Sequence, residues 1–158
     1  MREWHKTIWI AAFAAGCAST PQATPGQDAE AKQFGTDANL ATLYVYRPGS
    51  NFGDRVEEAS PVIYVDQQLI GSPLAGVFFV VRLKPGTHVL SGIANDQGKM
   101  TLQVQAGQLY FVSLRVVNGN SIYTPVSVQN GKQEVSACCT LYQNVDPNRE
   151  SLFPTIQF

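Results

Sequence analysis

Two adjacent cysteines, Cys138 and Cys139, have the most unusual spacing among the residues that could react. Neighbouring α-carbons across a trans peptide are about 3.8 Å apart, which is below the usual range for a disulfide, and adjacent side chains of a strand point to opposite faces. A bond between them would need a local distortion, and strained disulfides are more easily reduced. The sequence leaves three states open: a redox-active vicinal disulfide, two reduced thiols, or a bond to another protein.

The third cysteine, Cys17, follows a segment with the three parts of an export signal. Basic residues come first, an apolar run second and small residues last: Arg2, His5 and Lys6, then residues 8–15, then Ala14-Ala15-Gly16. The apolar run is far shorter than the roughly 20 residues that a permanent membrane helix needs, so cleavage is expected. Ala14-Ala15-Gly16-Cys17 resembles the bacterial lipobox, which implies a signal peptide over 1–16 and lipid on Cys17. The alternative is a plain secretory signal that leaves Cys17 as an ordinary thiol.

The expected location follows from the same segment. Lipid chains on Cys17 would hold the protein at a membrane, because each buried methylene contributes about 0.8 kcal/mol. Ala18 follows the cysteine, and by resemblance to the enteric sorting rule this favours the periplasmic face of the outer membrane. Without residues 1–16 the chain carries nine basic and eleven acidic residues, a net charge of −2. This charge gives no attraction to polyanions, so no nucleic-acid partner is expected.

The remaining reactive residues form no catalytic or metal-binding pattern. His88 is the single histidine after the signal, and a Ser-His-Asp hydrolase would need a nucleophile and an orienting acid beside it. Its expected role is to complete a turn. Asp54, Glu57 and Glu58 match no calcium-loop spacing, and adjacent cysteines are poorly placed to chelate zinc together with His88. The sequence predicts no catalytic residue, no metal and no cofactor.

Residues 17–39 are predicted to be a flexible tether. They contain prolines and small polar residues with almost no large apolar side chains, so they cannot bury enough surface to fold alone. A coil of about 22 residues would hold the domain roughly 25 Å from the lipid. The alternative is a docked amino-terminal arm, which would use Phe34 or Leu40.

Residues 40–143 alternate short apolar, β-branched and aromatic runs with turn residues, which is typical of strands. The runs are 41–47, 62–66, 68–71, 77–84, 87–94, 100–105, 108–117, 121–128 and 133–142. Asn118-Gly119 and Asn130-Gly131 suit tight hairpins. The fold class is therefore all-β: an antiparallel β-sandwich or partly open barrel of about eight strands in a single domain. Residues 144–158 are expected to be irregular.

Part of this region resembles a known family. Val62-Ile-Tyr-Val-Asp66, Leu69-Ile-Gly71, Pro85-Gly86 before His88, and Val104-Gln-Ala-Gly107 resemble a PEGA-type β-domain. With Tyr44-Val45-Tyr46-Arg47-Pro48 upstream, the chain is similar to small bacterial lipoproteins of unknown function. The resemblance implies an accessory domain of the cell envelope and transfers no catalytic residue.

The preferred hypothesis is a tethered, non-enzymatic module that binds an envelope protein or peptidoglycan. Its candidate binding loop is the long connection 48–61, with Phe52, Asp54 and Arg55, since long loops tend to carry binding residues. An exposed patch of Phe52, Phe78 and Tyr123 near this loop would give the binding surface a location. The alternatives are a redox role for Cys138 and Cys139, and an enzyme that acts on envelope glycan.

Overall fold

The computed structural model describes residues 22–49, 61–93 and 96–144. These ranges contain nine strands and two helices, in the order α1 (Pro25–Ala31), β1 (Ala41–Arg47), β2 (Ile63–Val65), β3 (Gln68–Gly71), β4 (Val77–Leu83), β5 (Gly86–Ser91), β6 (Lys99–Val104), β7 (Leu109–Val117), β8 (Asn120–Val126), α2 (Val128–Cys138) and β9 (Thr140–Leu141). The predicted signal peptide, Cys17, the loop residues Phe52, Asp54 and Arg55, and residues 145–158 lie outside the described ranges.

The strands form two sheets, which confirms the predicted all-β sandwich. One sheet has the order β8-β7-β1-β4-β9 and the other β3-β2-β5-β6. Most neighbouring strands are antiparallel, as expected, but β1 runs parallel to β7, and β4 runs parallel to β9. Side chains from both sheets form the first core, which includes Leu43, Ile63, Leu90 and Val112.

A second core lies on the outer face of the five-stranded sheet. It contains Tyr44 and Tyr46 from β1, Phe78 from β4 and Phe111 from β7. Buried aromatic rings on a sheet face need a covering layer. Here the two helices and the residues that flank them supply it, through Val135, Cys139 and Phe34.

The flexible tether is a wrong prediction over residues 22–39. Thr24 caps α1 in a capping box with Gln27, which satisfies amide groups at the helix start. The Phe34 ring lies 5.3 Å from the Tyr44 ring and 5.8 Å from the Phe111 ring. Gln22 also forms a bridge with Tyr142 beside β9. The alternative, a docked amino-terminal arm that uses Phe34, therefore describes this segment. One aromatic ring and a capped helix are enough to hold the segment in place because the sheet supplies the surface on which they pack.

The strand predicted over 133–142 is also wrong, as is the hairpin at Asn130-Gly131. The chain forms α2 and then the short strand β9. Ser127 caps the helix by accepting a hydrogen bond from the amide of Asn130. Gly131 and Val135 are the buried positions of this helix, and they lie four residues apart on one face. Two inward positions are too few to give a helical pattern in the sequence.

The edge of the five-stranded sheet at β8 is covered by the connection between β5 and β6. Asp96 accepts hydrogen bonds from the amide and the hydroxyl of Ser121 on β8, and the Asn120 side chain accepts one from the Gln97 amide. The Ser121 amide points away from β7. Pro125 lies four residues further along β8, so its backbone nitrogen also points outward, and it carries no N–H group.

Gly131 tests the packing of α2 on the sheet. A Cβ atom at Gly131 would lie 2.2 Å from Cγ of Phe111, so Gly131→Ala forces the helix and the ring apart. Overpacking costs about 1–3 kcal/mol, and alanine returns about 1 kcal/mol of helix propensity. We expect the free energy of unfolding to fall by up to about 2 kcal/mol in urea titrations.

Gly26 is the matched control, because it lies in α1 and a Cβ atom there meets nothing within 4 Å. Gly26→Ala should leave stability unchanged or raise it by up to about 0.5 kcal/mol. Equal losses for the two variants would contradict the close contact of α2 with Phe111.

Candidate functional site

A cleft opens where α2 stops covering the outer face of the five-stranded sheet. The helix covers this face at Phe111, where Gly131 contacts the ring, and leaves the rest of the β7–β8 hairpin open. The cleft has a volume of about 420 Å³ and is lined by Ser113, Arg115 and Val117 of β7, Ile122, Thr124 and Val126 of β8, and Glu134 of α2. This volume lies within the range of small-ligand sites, about 300–1,000 Å³.

The floor of the cleft combines a positive charge with apolar side chains. Arg115 is directly opposite Ile122 in the antiparallel pair, and Ser113 is opposite Thr124. Ile122 is 47% exposed and Val117 is 51% exposed, which is unusual for large apolar side chains that lie together on a concave surface. This arrangement can bind an apolar group and a negatively charged group side by side.

The helical wall of the cleft is fixed by a hydrogen bond from the core. The Tyr46 hydroxyl donates to Oε2 of Glu134 across 2.6 Å. Burial, followed by the hydrogen bond and the charge of Glu134, raises the pKa of Tyr46 far above its ordinary value. The phenol therefore stays protonated near neutral pH, where it positions Glu134 instead of acting as a base.

The vicinal disulfide is the second candidate. Cys138 and Cys139 are bonded, with their α-carbons 3.7 Å apart. Cys138 is the last residue of α2 and Cys139 is an extended cap with φ −128° and ψ 148°. The expected divergence of the side chains holds for two residues of one strand, whereas here the backbone changes from helix to extended chain between them. Among the three states left open by the sequence, the structure contains the vicinal bond.

The two sulfurs have different surroundings. Cys139 is 4% exposed and belongs to the second core. Its Sγ lies 3.7 Å from the carbonyl oxygen of Arg47 at the end of β1. Cys138 is partly exposed at the end of the helix. Cys139 is therefore the more deeply buried residue of the pair.

Comparison with known proteins places the chain in a family. The family model described as "Protein of unknown function (DUF2846)" matches residues 37–137. The chain belongs to the DUF2846 family. An "Uncharacterized protein" of Haemophilus influenzae (strain ATCC 51907 / DSM 11121 / KW20 / Rd) is 27% identical over 135 residues, which cover 82% of this chain and 78% of that protein. The resemblance to PEGA-type domains stays a prediction.

The match to the DUF2846 model bears differently on the two candidates. All the residues that line the cleft lie within 37–137, whereas Cys138 and Cys139 follow directly after the matched range. Helix α1 precedes it. The cleft thus lies within the region that matches the DUF2846 model, and the disulfide lies immediately after that region.

The remaining residues singled out in the sequence do not meet at one site. Phe78 is fully buried in the second core, and Tyr123 packs against the first core with its hydroxyl oxygen buried. Phe78 and Tyr123 therefore do not form the exposed patch that would have given the binding surface a location. Within the described ranges of this DUF2846 protein, no His, Cys, Asp and Glu residues form a metal-binding group of three, and neither helix is long and apolar enough to cross a membrane.

His88 has a structural role in the four-stranded sheet. Its Nδ1 contacts Oδ2 of Asp66, and its Nε2 lies 2.8 Å from the carbonyl oxygen of Lys84. Asp66 also accepts a hydrogen bond from the amide of Val89. Asp66 and Gln67 have φ angles of 50° and 69°, which are those of a type I′ turn. The pair ties the β2–β3 turn to β5.

The Asp66–His88 pair makes stability depend on pH. Partial burial acts to lower the pKa of His88, but the hydrogen bonds to Asp66 and Lys84 and the Asp66 charge raise it above 6.5. Burial acts to raise the pKa of Asp66, but the hydrogen bonds from His88 and Val89 and the charge of His88 lower it below 3.8. The contribution of His88 is complete below its ordinary pKa and is lost as pH rises through the raised value. That of Asp66 is complete above its ordinary pKa and is lost as pH falls through the lowered value.

We therefore expect this pair to contribute most between about pH 4 and 6.5. Urea midpoints measured from pH 4 to 9 should decline above pH 6.5 in the natural protein, and His88→Gln should remove most of that decline. The same decline in the variant would show that other groups cause it.

Proposed function

We propose that this protein is a lipid-anchored module of the bacterial cell envelope that binds a partner in the cleft and catalyses no reaction on it. The observation that carries the proposal is the pairing of half-exposed Val117 and Ile122 with the charge of Arg115 on one concave surface. Such a surface is costly to leave open in water, and exposed apolar patches often mark binding sites.

The cleft favours a protein segment as its partner. Val117, Ile122 and Val126 would contact apolar side chains, and Arg115 would pair with a carboxylate of the same segment. Binding fits this surface better than a reaction in which Tyr46 acts as a base, because its phenol is kept protonated and donates to the Glu134 carboxylate.

The proposed anchor on Cys17 would hold the domain close to the membrane. Since Gln22 is bridged to Tyr142, five residue steps separate it from Cys17, and these span at most about 18 Å. This limit replaces the longer reach expected of a tether over residues 17–39. A partner of the anchored domain must therefore be a membrane protein or must come to the membrane surface.

A second function, a redox role for Cys138 and Cys139, is supported by the vicinal disulfide. It does not compete with binding in the cleft.

Lipidation is tested by metabolic labelling of bacterial cells with a fatty-acid analogue. We expect label on the natural protein and none on Cys17→Ser. The double variant Cys138→Ser/Cys139→Ser is the matched control and should keep the label, since it retains Cys17. Label that persists on Cys17→Ser would overturn the proposed anchor.

Binding in the cleft is tested with a photo-crosslinking residue at Ile122 in intact cells. The control carries the same residue at Leu74, which is 51% exposed and does not line the cleft. We expect a discrete crosslinked product at 122 and none at 74. Arg115→Ala should reduce its yield about tenfold, since a charge-assisted hydrogen bond contributes roughly 1.5 kcal/mol or more.

Thermal unfolding of Arg115→Ala should match that of the natural protein, because this side chain is exposed. Products of equal yield at 122 and 74, or a yield at 122 that does not depend on Arg115, would contradict the proposed binding surface.

A further inference from the structure

We propose that the Cys138–Cys139 disulfide is a thiol–disulfide exchange site in which Cys138 is the sulfur attacked by an incoming thiolate and Cys139 is the leaving sulfur. Its substrate class is a dithiol, on a protein or a small molecule. The proposal rests on the redox role of this cysteine pair and requires neither the lipid anchor nor the cleft.

The assignment of the two sulfurs follows from the direction of attack. A thiolate attacks a disulfide sulfur from the side opposite the bond that breaks. Attack on Cys138 comes from the side away from Cys139, and Cys138 is partly exposed, although it also packs against the edge of the second core. Attack on Cys139 would come from the interior, where its Sγ contacts the carbonyl oxygen of Arg47 and its side chain packs in the second core. Cys138 is therefore the more accessible residue of the pair.

The position in the chain favours reduction of this bond. The α-carbons of the two cysteines are 3.7 Å apart, whereas ordinary disulfides join α-carbons about 4.4–6.8 Å apart. The peptide bond between the neighbours sets this short distance, so the disulfide closes a small ring with the backbone at the point where α2 ends and the chain becomes extended. Reduction opens this ring, and constrained, accessible disulfides are those that exchange most readily.

The exchange balances as a two-electron reaction. A thiolate of the dithiol bonds to Sγ of Cys138, the Cys138–Cys139 bond breaks, and Cys139 leaves as a thiolate that takes a proton from water. The second thiol of the dithiol then loses its proton and attacks the other dithiol sulfur, the one bonded to Cys138. Cys138 leaves as a thiolate and takes up a proton. The dithiol is oxidised to a disulfide, and the cysteine pair is reduced to two thiols.

Glutathione is the probe for the first step, because a monothiol needs a second molecule to complete the reduction, so a short treatment followed by an acid quench traps the mixed disulfide. The full-length protein, extracted from cells without reductant, is treated with glutathione, quenched with acid and examined by mass spectrometry with fragmentation between the two cysteines. We expect glutathione on Cys138 and a free thiol on Cys139. Glutathione on Cys139, or two free thiols before treatment, would overturn the proposal.

A matched pair of variants gives a second measurement. Cys139→Ser leaves only Cys138 of the pair, and Cys138→Ser leaves only Cys139. Because any unlipidated Cys17 would also react, the modified cysteine is identified from its own peptide in each variant. With an aromatic disulfide reagent, Cys138 should react at least about tenfold faster than Cys139, because reactivity follows exposure. Equal rates in folded variants, or a faster Cys139, would contradict the assigned roles. If either variant fails to fold, the glutathione site on the natural protein decides.

Discussion

The position of strand β1 determines where the other elements lie, because all seven of its residues are buried and its two faces belong to different cores. Leu43 and Val45 face the four-stranded sheet. Tyr44 and Tyr46 face the helices, and a buried tyrosine needs a partner for its hydroxyl. The Tyr44 hydroxyl donates to the carbonyl oxygen of Ala31 at the end of α1 across 2.8 Å, and that of Tyr46 donates to Glu134 of α2. One strand thus sets both sheets face to face and fixes both helices.

The cleft and the disulfide both arise from the way α2 is held. The helix is anchored at Phe111 and Tyr46, so it covers one end of the β7–β8 hairpin and leaves Arg115 and Ile122 open. It ends at Cys138, where the chain turns into β9 beside β4. A helix of different length or position would cover the cleft or separate the sulfurs from the core. The proposed binding surface and the proposed exchange site are therefore two consequences of the same packing.

The sequence predicted the strands well and the helices not at all, for physical reasons. Strands carry a local signal, and the Asn118-Gly119 turn shows the expected positive φ angles at both residues. Helix α1 has no buried residue and α2 has two, so neither gives a helical pattern. Asn130-Gly131 matched a hairpin pattern, but Gly131 is required there because the Phe111 ring, distant in sequence, packs directly against it. The cleft had no local signal, because its boundary is the place where α2 stops, and the cysteine pair was judged by strand geometry that does not apply at a helix end.

The covered edge at β8 has a consequence for how copies of this protein meet. An open sheet edge is a template on which a second chain can add a strand. Here Asp96 accepts the hydrogen bond of the outward-pointing Ser121 amide. Pro125, four residues further along the strand, has no amide hydrogen to offer. If anchored copies share one membrane surface, their mutual collisions become frequent and their orientations similar, which are the conditions under which edge pairing would spread from copy to copy. The aspartate and the proline make this edge a poor template, so dense packing on a membrane need not lead to joined sheets.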